Sequence, residues 1–351
     1  MKKAKFKKYV LEFKQPSGTS RGILKTKDTY FISIVEGENV GIGEAGLLKG
    51  LSIDDVPDYE EKLQWCCDNI NLGLAKLYSE MKRYPSIQFG LEQAFLSFSS
   101  KDTFHLFPSD FTNKNKPISI NGLIWMGTAA FMKTQIEEKL AMGFSCIKMK
   151  IGAIDFSTEL NLLRDIRARF SADQITLRVD ANGAFLSTNA LEKLQQLAKY
   201  ELHSIEQPIQ AGNQEQMKVL CSVTPLPIAL DEELIGVFSI QDKEALLKKI
   251  KPQYIILKPS LIGGFQGTKE WIMLAEKYDV SWWITSALES NVGLNAISQF
   301  TYTLQTSLPQ GLGTGSLYTN NIDSPLTVTN GKIIYDSSQV WDTIKINEVC
   351  I

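Results

Sequence analysis

The sequence lacks a long apolar run: no stretch of about 18 apolar residues occurs in its 351 positions, so a membrane-spanning helix is not expected. Met1 to Lys14 is basic but has neither the apolar stretch nor the small-residue cleavage site of a signal peptide, so secretion is not expected either. Cysteine is scarce: Cys66, Cys67, Cys146, Cys221 and Cys350 are odd in number, form no CxxC pair and have no histidine at ligand spacing. That argues against a disulfide framework or a zinc cluster and reads as the reduced thiols of a cytoplasmic protein. An excess of one charge is missing too, with 37 basic against 39 acidic residues, so nucleic acid is not an expected partner. No glycine-rich dinucleotide fingerprint follows an early strand, and no P-loop lysine pattern occurs.

What is present is enough apolar content, 44%, to bury a large core, over a length that exceeds a bare (β/α)₈ barrel of roughly 250 residues. The first hundred or so residues read as α+β. Phe6 to Phe13, Tyr30 to Val35 and Val40 to Glu44 alternate like strands, whereas Val56 to Met81 and Gln88 to Phe98 carry helical spacing. Residues 15–22, QPSGTSRG, are small and polar, as a mobile loop would be. A proline- and asparagine-bearing stretch from Phe107 to Pro117 marks a boundary, placing a capping domain at 1–115.

Beyond it the rhythm changes to short β-rich runs alternating with helical ones. Strands are expected at Ile118 to Gly122, Cys146 to Ile151, Ile175 to Asp180, Ser204 to Glu206, Pro227 to Leu230, Tyr254 to Lys258, Ser281 to Thr285 and Gln310 to Leu312. Intervening segments such as Thr128 to Met142, Ser157 to Phe170, Ala190 to Leu202 and Gly264 to Tyr278 are long enough for crossover helices. Eight βα units predict an α/β fold of TIM-like (β/α)₈ type over 116–319. The segment 320–351, strand-like around Leu326 to Ile334, is expected to return to the cap.

Ionisable residues recur where the predicted strands end: Lys150, Asp180, Glu206, Asp231 and Lys258, with Glu289 after the seventh, each 25 to 31 residues from the last. In a barrel these converge at the C-terminal mouth, where a buried charge is costly unless something needs it. Asp at such a position also caps the following helix, but three carboxylates from adjacent strands repel one another unless a cation joins them. All-oxygen ligation suits Mg²⁺, with Mn²⁺ as the alternative ion. Lys148 and Lys150, two apart on one strand, share a face, and burial in a strand covered on both sides turns that face to the interior. Lys258 arrives from the sixth strand, opposite the second. Lysines flanking a cation suit removal of a proton beside a carboxylate, because the dianionic enolate so formed needs positive charge and a tuned amine can act as base.

These residues sit in KMK at 148–150, RVDANGAF at 178–185, IEQP at 205–208, LDEEL at 230–234 and LKPSLIGG at 257–264, a set that resembles the enolase superfamily in its muconate-lactonizing subgroup along the whole chain. Within it, SALESNVGLNAI at 286–297 and QGLGTGSLYTNN at 310–321 are most similar to the branch that dehydrates a succinyl-hydroxycyclohexadiene carboxylate in menaquinone synthesis. The resemblance implies Asp180, Glu206 and Asp231 as Mg²⁺ ligands. It implies Lys150 as the base that also returns the proton to the departing hydroxyl, Lys148 as its tuning partner, and Lys258 as the cation on the enolate's other face. It implies a substrate-covering lid bearing Thr19 and Arg21, and a small carboxylate as substrate. Arg178 and Asn182, on Asp180's side of the strand, and Ser286, Glu289, Gly313 and Thr314 are the expected substrate contacts. The chain is compatible with an oligomer.

Three rivals stand beside this. A racemase or epimerase of N-succinyl amino acids or dipeptides would use both lysines, but dipeptide epimerases carry an acidic D-x-D at the eighth strand, where this chain has Gly313-Thr314-Gly315. A silent barrel would have lost a lysine or carboxylate. A Schiff-base aldolase built on Lys258 would not need three carboxylates on consecutive strands.

Overall fold

The computed structural model describes residues 1–19 and 22–351, with Thr19 described in its backbone alone. The Thr19 side chain and Arg21, both expected at the lid, lie outside the described residues. Three antiparallel strands, Lys3–Thr19, Gly22–Glu36 and Asn39–Gly46, form the N-terminal sheet. Helices Tyr59–Asp68, Leu74–Glu80 and Pro85–Ser99 cover it. Alternation decides the packing: Tyr30, Ile32 and Ile34 face those helices and bury against Leu63, Leu77 and Leu91, while Phe31 faces the other way. The strands outrun their apolar alternation because the ladder carries polar residues with it. Ser17 pairs with Leu24 and Gly18 with Ile23 after a register shift beyond Glu12, so the described part of the stretch read as a loop is strand. The helical stretch read over 56–81 is split, with Gly73 at φ 82 between its halves, a backbone conformation suited to glycine.

Seven parallel strands follow in strict chain order: Gly122–Ile124, Cys146–Lys150, Thr176–Asp180, Ser204–Glu206, Ile228–Leu230, Tyr254–Leu257 and Ser281–Ile284. Gln310 and Gly311 close the ring by single bridges, Gln310 to Ile120 and Gly311 to Thr285. The Gln310 amide donates to the Ser119 carbonyl at 2.8 Å and the Gly311 amide to the Ile284 carbonyl at 2.8 Å. The fold is thus a TIM-like barrel with an N-terminal α+β cap. The first strand lies further along than the expected Ile118 to Gly122, because Ile118–Ser119 is taken by an antiparallel pairing with Lys332–Tyr335 of the C-terminal segment. Helix Thr343–Val349 of that segment packs Ile346 and Val349 with Phe31 and Ile42 of the cap. Among the described residues no helix is long and apolar enough to cross a membrane.

Cap and barrel meet through two buried carboxylates of the cap, each set on the start of a barrel helix. Glu44 accepts the Ser290 amide at 2.9 Å and the Gly293 amide at 2.8 Å, at the head of Asn291–Thr303. Glu92 accepts the Phe265 amide and, at 3.0 Å, the Gln266 amide, at the head of Gly264–Lys277. Backbone amides at a helix N-terminus have no intrahelical partner, so a carboxylate there is doubly favoured. The two helices follow the sixth and seventh strands, which lead into Lys258 and Ser286.

Burial pushes the Glu92 carboxyl up to about 7, although the two amides favour its charge, against 4.5 in the unfolded chain. Between those values the folded state holds a proton that the unfolded state has lost, so stability falls as pH rises from 4.5 to about 7. Glu92→Gln cannot titrate. The stability difference between the two should therefore shift in favour of the glutamine protein across that window by an amount of order 3 kcal/mol, at 1.36 kcal/mol per pH unit. Urea unfolding at pH 5 and pH 7.5 measures it, and a constant difference would refute it.

Candidate active site

Lys148 and Lys150 occupy the buried inner face of the second barrel strand, 6% and 8% exposed, as their two-residue spacing requires. Parallel register sets Lys150 beside Asp180, and Asp180 beside Glu206 on the next strand. Asp231 and Lys258 follow immediately after the fifth and sixth strands. All six side chains interlock. The Lys148 ammonium donates to Glu206 Oε2 and lies 3.0 Å from Asp180 Oδ2. Lys150 donates to Asp180 Oδ2 at 3.0 Å and to Asn182 Oδ1 at 2.7 Å. Lys258 donates to Asp231 Oδ2 and lies 3.8 Å from Glu206 Oε1.

Burial alone favours the neutral form of Asp180, Glu206, Asp231, Lys148 and Lys258, and the partners decide which keep their charge. For Asp180, burial is outweighed by Lys148, Lys150 and Lys258, which hold the carboxyl well below its usual range. Asp231 is likewise held down, chiefly by Lys258 against burial. For Lys148, burial is overcome by Asp180, Glu206 and Asp231, so its ammonium is held more tightly than usual, and Lys258 is raised in the same way by Asp231 and Glu206. Glu206 is the exception. Burial, with Asp180 adding repulsion, pushes it up to about 8.

Glu206 Oε1 is also buried without a hydrogen-bond partner. A carboxylate flanked by two others, with one oxygen unsatisfied, fits a further cation of oxygen-preferring type. As arranged, the carboxylates turn to the lysines instead of to one point, and among the described residues no three His, Cys, Asp or Glu side chains stand as a ready metal cage.

Above this cluster lies a cavity of about 80 Å³. The barrel contributes Lys148, Lys150, Asp180, Asn182, Lys258 and Trp125 to its lining, and the cap closes it with Leu24, Leu48 and Leu51. Ser286, Gly313 and Thr314 line its seventh- and eighth-strand side. Asn182, at φ 43, accepts from Lys150 with its side-chain oxygen and donates its own backbone amide to Asp180 Oδ1, so one loop orients both groups.

Two expected contacts lie elsewhere. Arg178 points to the barrel floor, 1% exposed, stacking 4.0 Å above the Trp283 ring and donating to the Pro309 carbonyl at 2.8 Å. It lies one strand layer below Asp180, and an arginine at that depth finds an aromatic face before it finds the mouth. Glu289 is fully buried behind the lining, accepting Ser260 Oγ at 2.6 Å and Ser286 Oγ at 2.5 Å, with Thr314 donating to Ser286 at 2.9 Å. Sequence reasoning missed Gln207, whose side-chain oxygen accepts the Asp231 amide at 3.1 Å and the Glu233 amide at 3.3 Å. Its position in IEQP, directly after Glu206, was the available signal.

Arg178→Lys keeps the charge but loses the flat stack on Trp283, and is expected to cost about 2 kcal/mol of unfolding free energy. Denaturant titration checks it, and an unchanged midpoint would argue against the stack.

Residues 132–338 match the model of the family described as "Enolase C-terminal domain-like". The o-succinylbenzoate synthase of Desulfotalea psychrophila is 46% identical over 352 residues, covering 92% of this chain and 95% of that protein. Among solved structures, MenC from Desulfotalea psychrophila superposes with a TM-score of 0.84 at 41% identity, covering 95% of this chain and 99% of that one. The dipeptide epimerase of Enterococcus faecalis, complexed with Mg and the dipeptide L-Leu-L-Tyr, superposes with a TM-score of 0.81 at 18% identity, over 95% of this chain and 96% of that one, which speaks for a common fold.

Proposed function

The chain belongs to the enolase C-terminal domain-like family, and from that premise we propose that it is an o-succinylbenzoate synthase, a hydro-lyase acting in menaquinone biosynthesis. The reaction is the syn-dehydration of 2-succinyl-6-hydroxy-2,4-cyclohexadiene-1-carboxylate to o-succinylbenzoate. One observation carries the choice within the family: the cavity is lined by lysines from opposite strands, while its eighth-strand side offers Gly313 and Thr314, with no carboxylate for a substrate ammonium. That favours dehydration over dipeptide epimerisation.

Asp180, Glu206 and Asp231 would hold Mg²⁺, the ion named with the Enterococcus faecalis epimerase. A divalent cation there would take up the charge developing on the substrate carboxylate. Lys150 removes the proton from the ring carbon beside the carboxylate, and the C–H electron pair passes into the enolate. Lys258 faces the other side of the ring and stabilises the enolate by its charge, as Lys148 does beside Lys150. The enolate then re-forms the ring double bond as the C–O bond breaks. Lys150, on the same face, returns its proton to the departing hydroxide, so water leaves and the ring becomes aromatic. Asn182 keeps the Lys150 amine aimed into the cavity. The leucines of the cap keep water out, which strengthens each of these charge interactions.

Incubation with the cyclohexadiene substrate and Mg²⁺ should yield o-succinylbenzoate, and chelation should abolish it. Lys150→Ala should lower kcat by at least about 10³-fold, since a general base contributes roughly 10²–10⁴. Absence of turnover in the parent, alongside rapid racemisation of an N-succinyl amino acid, would overturn the assignment.

Glu206, pushed up to about 8, carries a proton at neutral pH, and a metal ligand must release it. Mg²⁺ affinity should therefore rise with pH up to about 8, with close to one proton released per ion near pH 7. Calorimetry in buffers of different ionisation enthalpy measures this, and pH-independent binding would contradict it.

A further inference from the structure

A second cavity, of about 320 Å³, opens beside the catalytic one under the N-terminal hairpin. The two share Asn121, Leu123, Trp125, Gly313 and Thr314 as lining, so they are compartments of one space. The barrel's construction explains the opening. Its eighth position is closed by single bridges at Gln310 and Gly311, and Gly313 and Thr314 beyond them pair with neither neighbour, which leaves a seam next to the first strand. Lys14 to Ser17 of the hairpin roof the seam, and the outer helix Ala129–Ala141 forms its far wall.

Asn121 stands at the junction. It is 5% exposed, lines both compartments, and its side-chain oxygen has no hydrogen-bond partner. A buried amide oxygen without a partner costs about 1–3 kcal/mol, so a residue kept there is expected to meet a ligand. The carboxamide presents its oxygen or, turned about its last bond, its N–H pair. Beyond it the seam is basic at its far end. Lys139 lines it, half-buried and without a carboxylate partner among the described salt bridges, its ammonium 5.3 Å over the Phe144 ring, and burial lowers its pKa with only Glu138 opposing. Lys14 adds a second positive charge against the one of Glu138.

We propose that the seam cavity is a subsite for an acyl chain ending in a carboxylate, with Asn121 meeting the chain's carbonyl near the ring and Lys139 its distal carboxylate. The inference rests on the dehydratase reading, whose substrate carries such a chain. It adds two residues that decide which substrates fit, and it assigns the far carboxylate to the outer helix of the first βα unit instead of to the catalytic lysines.

The test is a ladder of three ligands, benzoate, 2-acetylbenzoate and 2-succinylbenzoate, titrated calorimetrically into the Mg²⁺-loaded protein. Lys139→Met should weaken 2-succinylbenzoate about tenfold or more and leave the other two within about twofold, the loss of one charge-assisted contact. Lys139→Arg should retain the affinity. Asn121→Leu should weaken both keto ligands by about tenfold and spare benzoate. Retained benzoate binding shows that each variant is folded. Equal losses on all three ligands, or full 2-succinylbenzoate affinity in Lys139→Met, would overturn the subsite. If the parent turns over the cyclohexadiene substrate while Lys139→Met binds as the parent does, the subsite alone falls. A parent that shows the ladder but no turnover leaves the subsite standing and removes the dehydratase reading, and one that binds none of the three removes both.

Discussion

Three lysines and three acids, all nearly excluded from water, share the mouth of one barrel, and the burial of each depends on the partners around it. The cost of burying an isolated charge is several kcal/mol even after relaxation, and it is met here because each acid has a base within reach, Asp180 and Asp231 from the neighbouring strand and Glu206 from two strands away. The compensation is incomplete at Glu206, the central acid. It sits between Asp180 and Asp231, takes up repulsion from both and is left with an unsatisfied oxygen. The cluster is balanced in number and unbalanced in place, and the imbalance lies where one more positive charge would fit. Strand register, which fixes Lys150 beside Asp180 and Asp180 beside Glu206, is what makes the arrangement reproducible.

The cap is held by the same kind of interaction, turned to a structural use. Glu44 and Glu92 are buried acids with no lysine or arginine paired to them among the described residues; their partners are helix-end amides and hydroxyls. The approach is so close that a Cβ at Gly264 would stand 2.0 Å from Glu92 Oε2, and one at Gly293 2.9 Å from Glu44 Oε2. The glycines of LKPSLIGG and SNVG are therefore part of the docking surface. Because the two helices descend from the strands that lead to Lys258 and Ser286, fixing the cap also fixes the sixth and seventh sides of the cavity while Leu24, Leu48 and Leu51 roof it.

Much of this was legible beforehand because a barrel repeats. One ionisable residue per βα unit is a signal that survives without any knowledge of packing, and it located five of the six charges, Lys148 following from its two-residue spacing to Lys150 on one strand. Features set by contact between distant segments were not legible. Ile118 is as strand-like as the residues after it, but only the pairing with Lys332–Tyr335 decides that the barrel begins at Gly122. Arg178 shares its alternation with Asp180, and alternation does not say whether an inward side chain rises to the mouth or turns down onto Trp283. Asn121 falls inside the expected strand Ile118 to Gly122, and nothing in its spacing hints at a buried amide oxygen without a partner.

Glu289 illustrates how a residue outside the cavity still governs its chemistry. Its carboxyl oxygens accept the Ser286 hydroxyl at 2.5 Å and the Ser260 hydroxyl at 2.6 Å, so Ser286 spends its proton there. Ser286 then accepts from Thr314 and from the Leu288 amide, and Thr314 in turn has donated its proton away from the cavity. The hydroxyls on the seventh- and eighth-strand side are thereby left with lone pairs and no free hydrogens. Such a surface disfavours a carboxylate and suits a hydrogen-bond donor. The hydrogen-bonding character of that side of the cavity is thus set by one buried acid outside its lining.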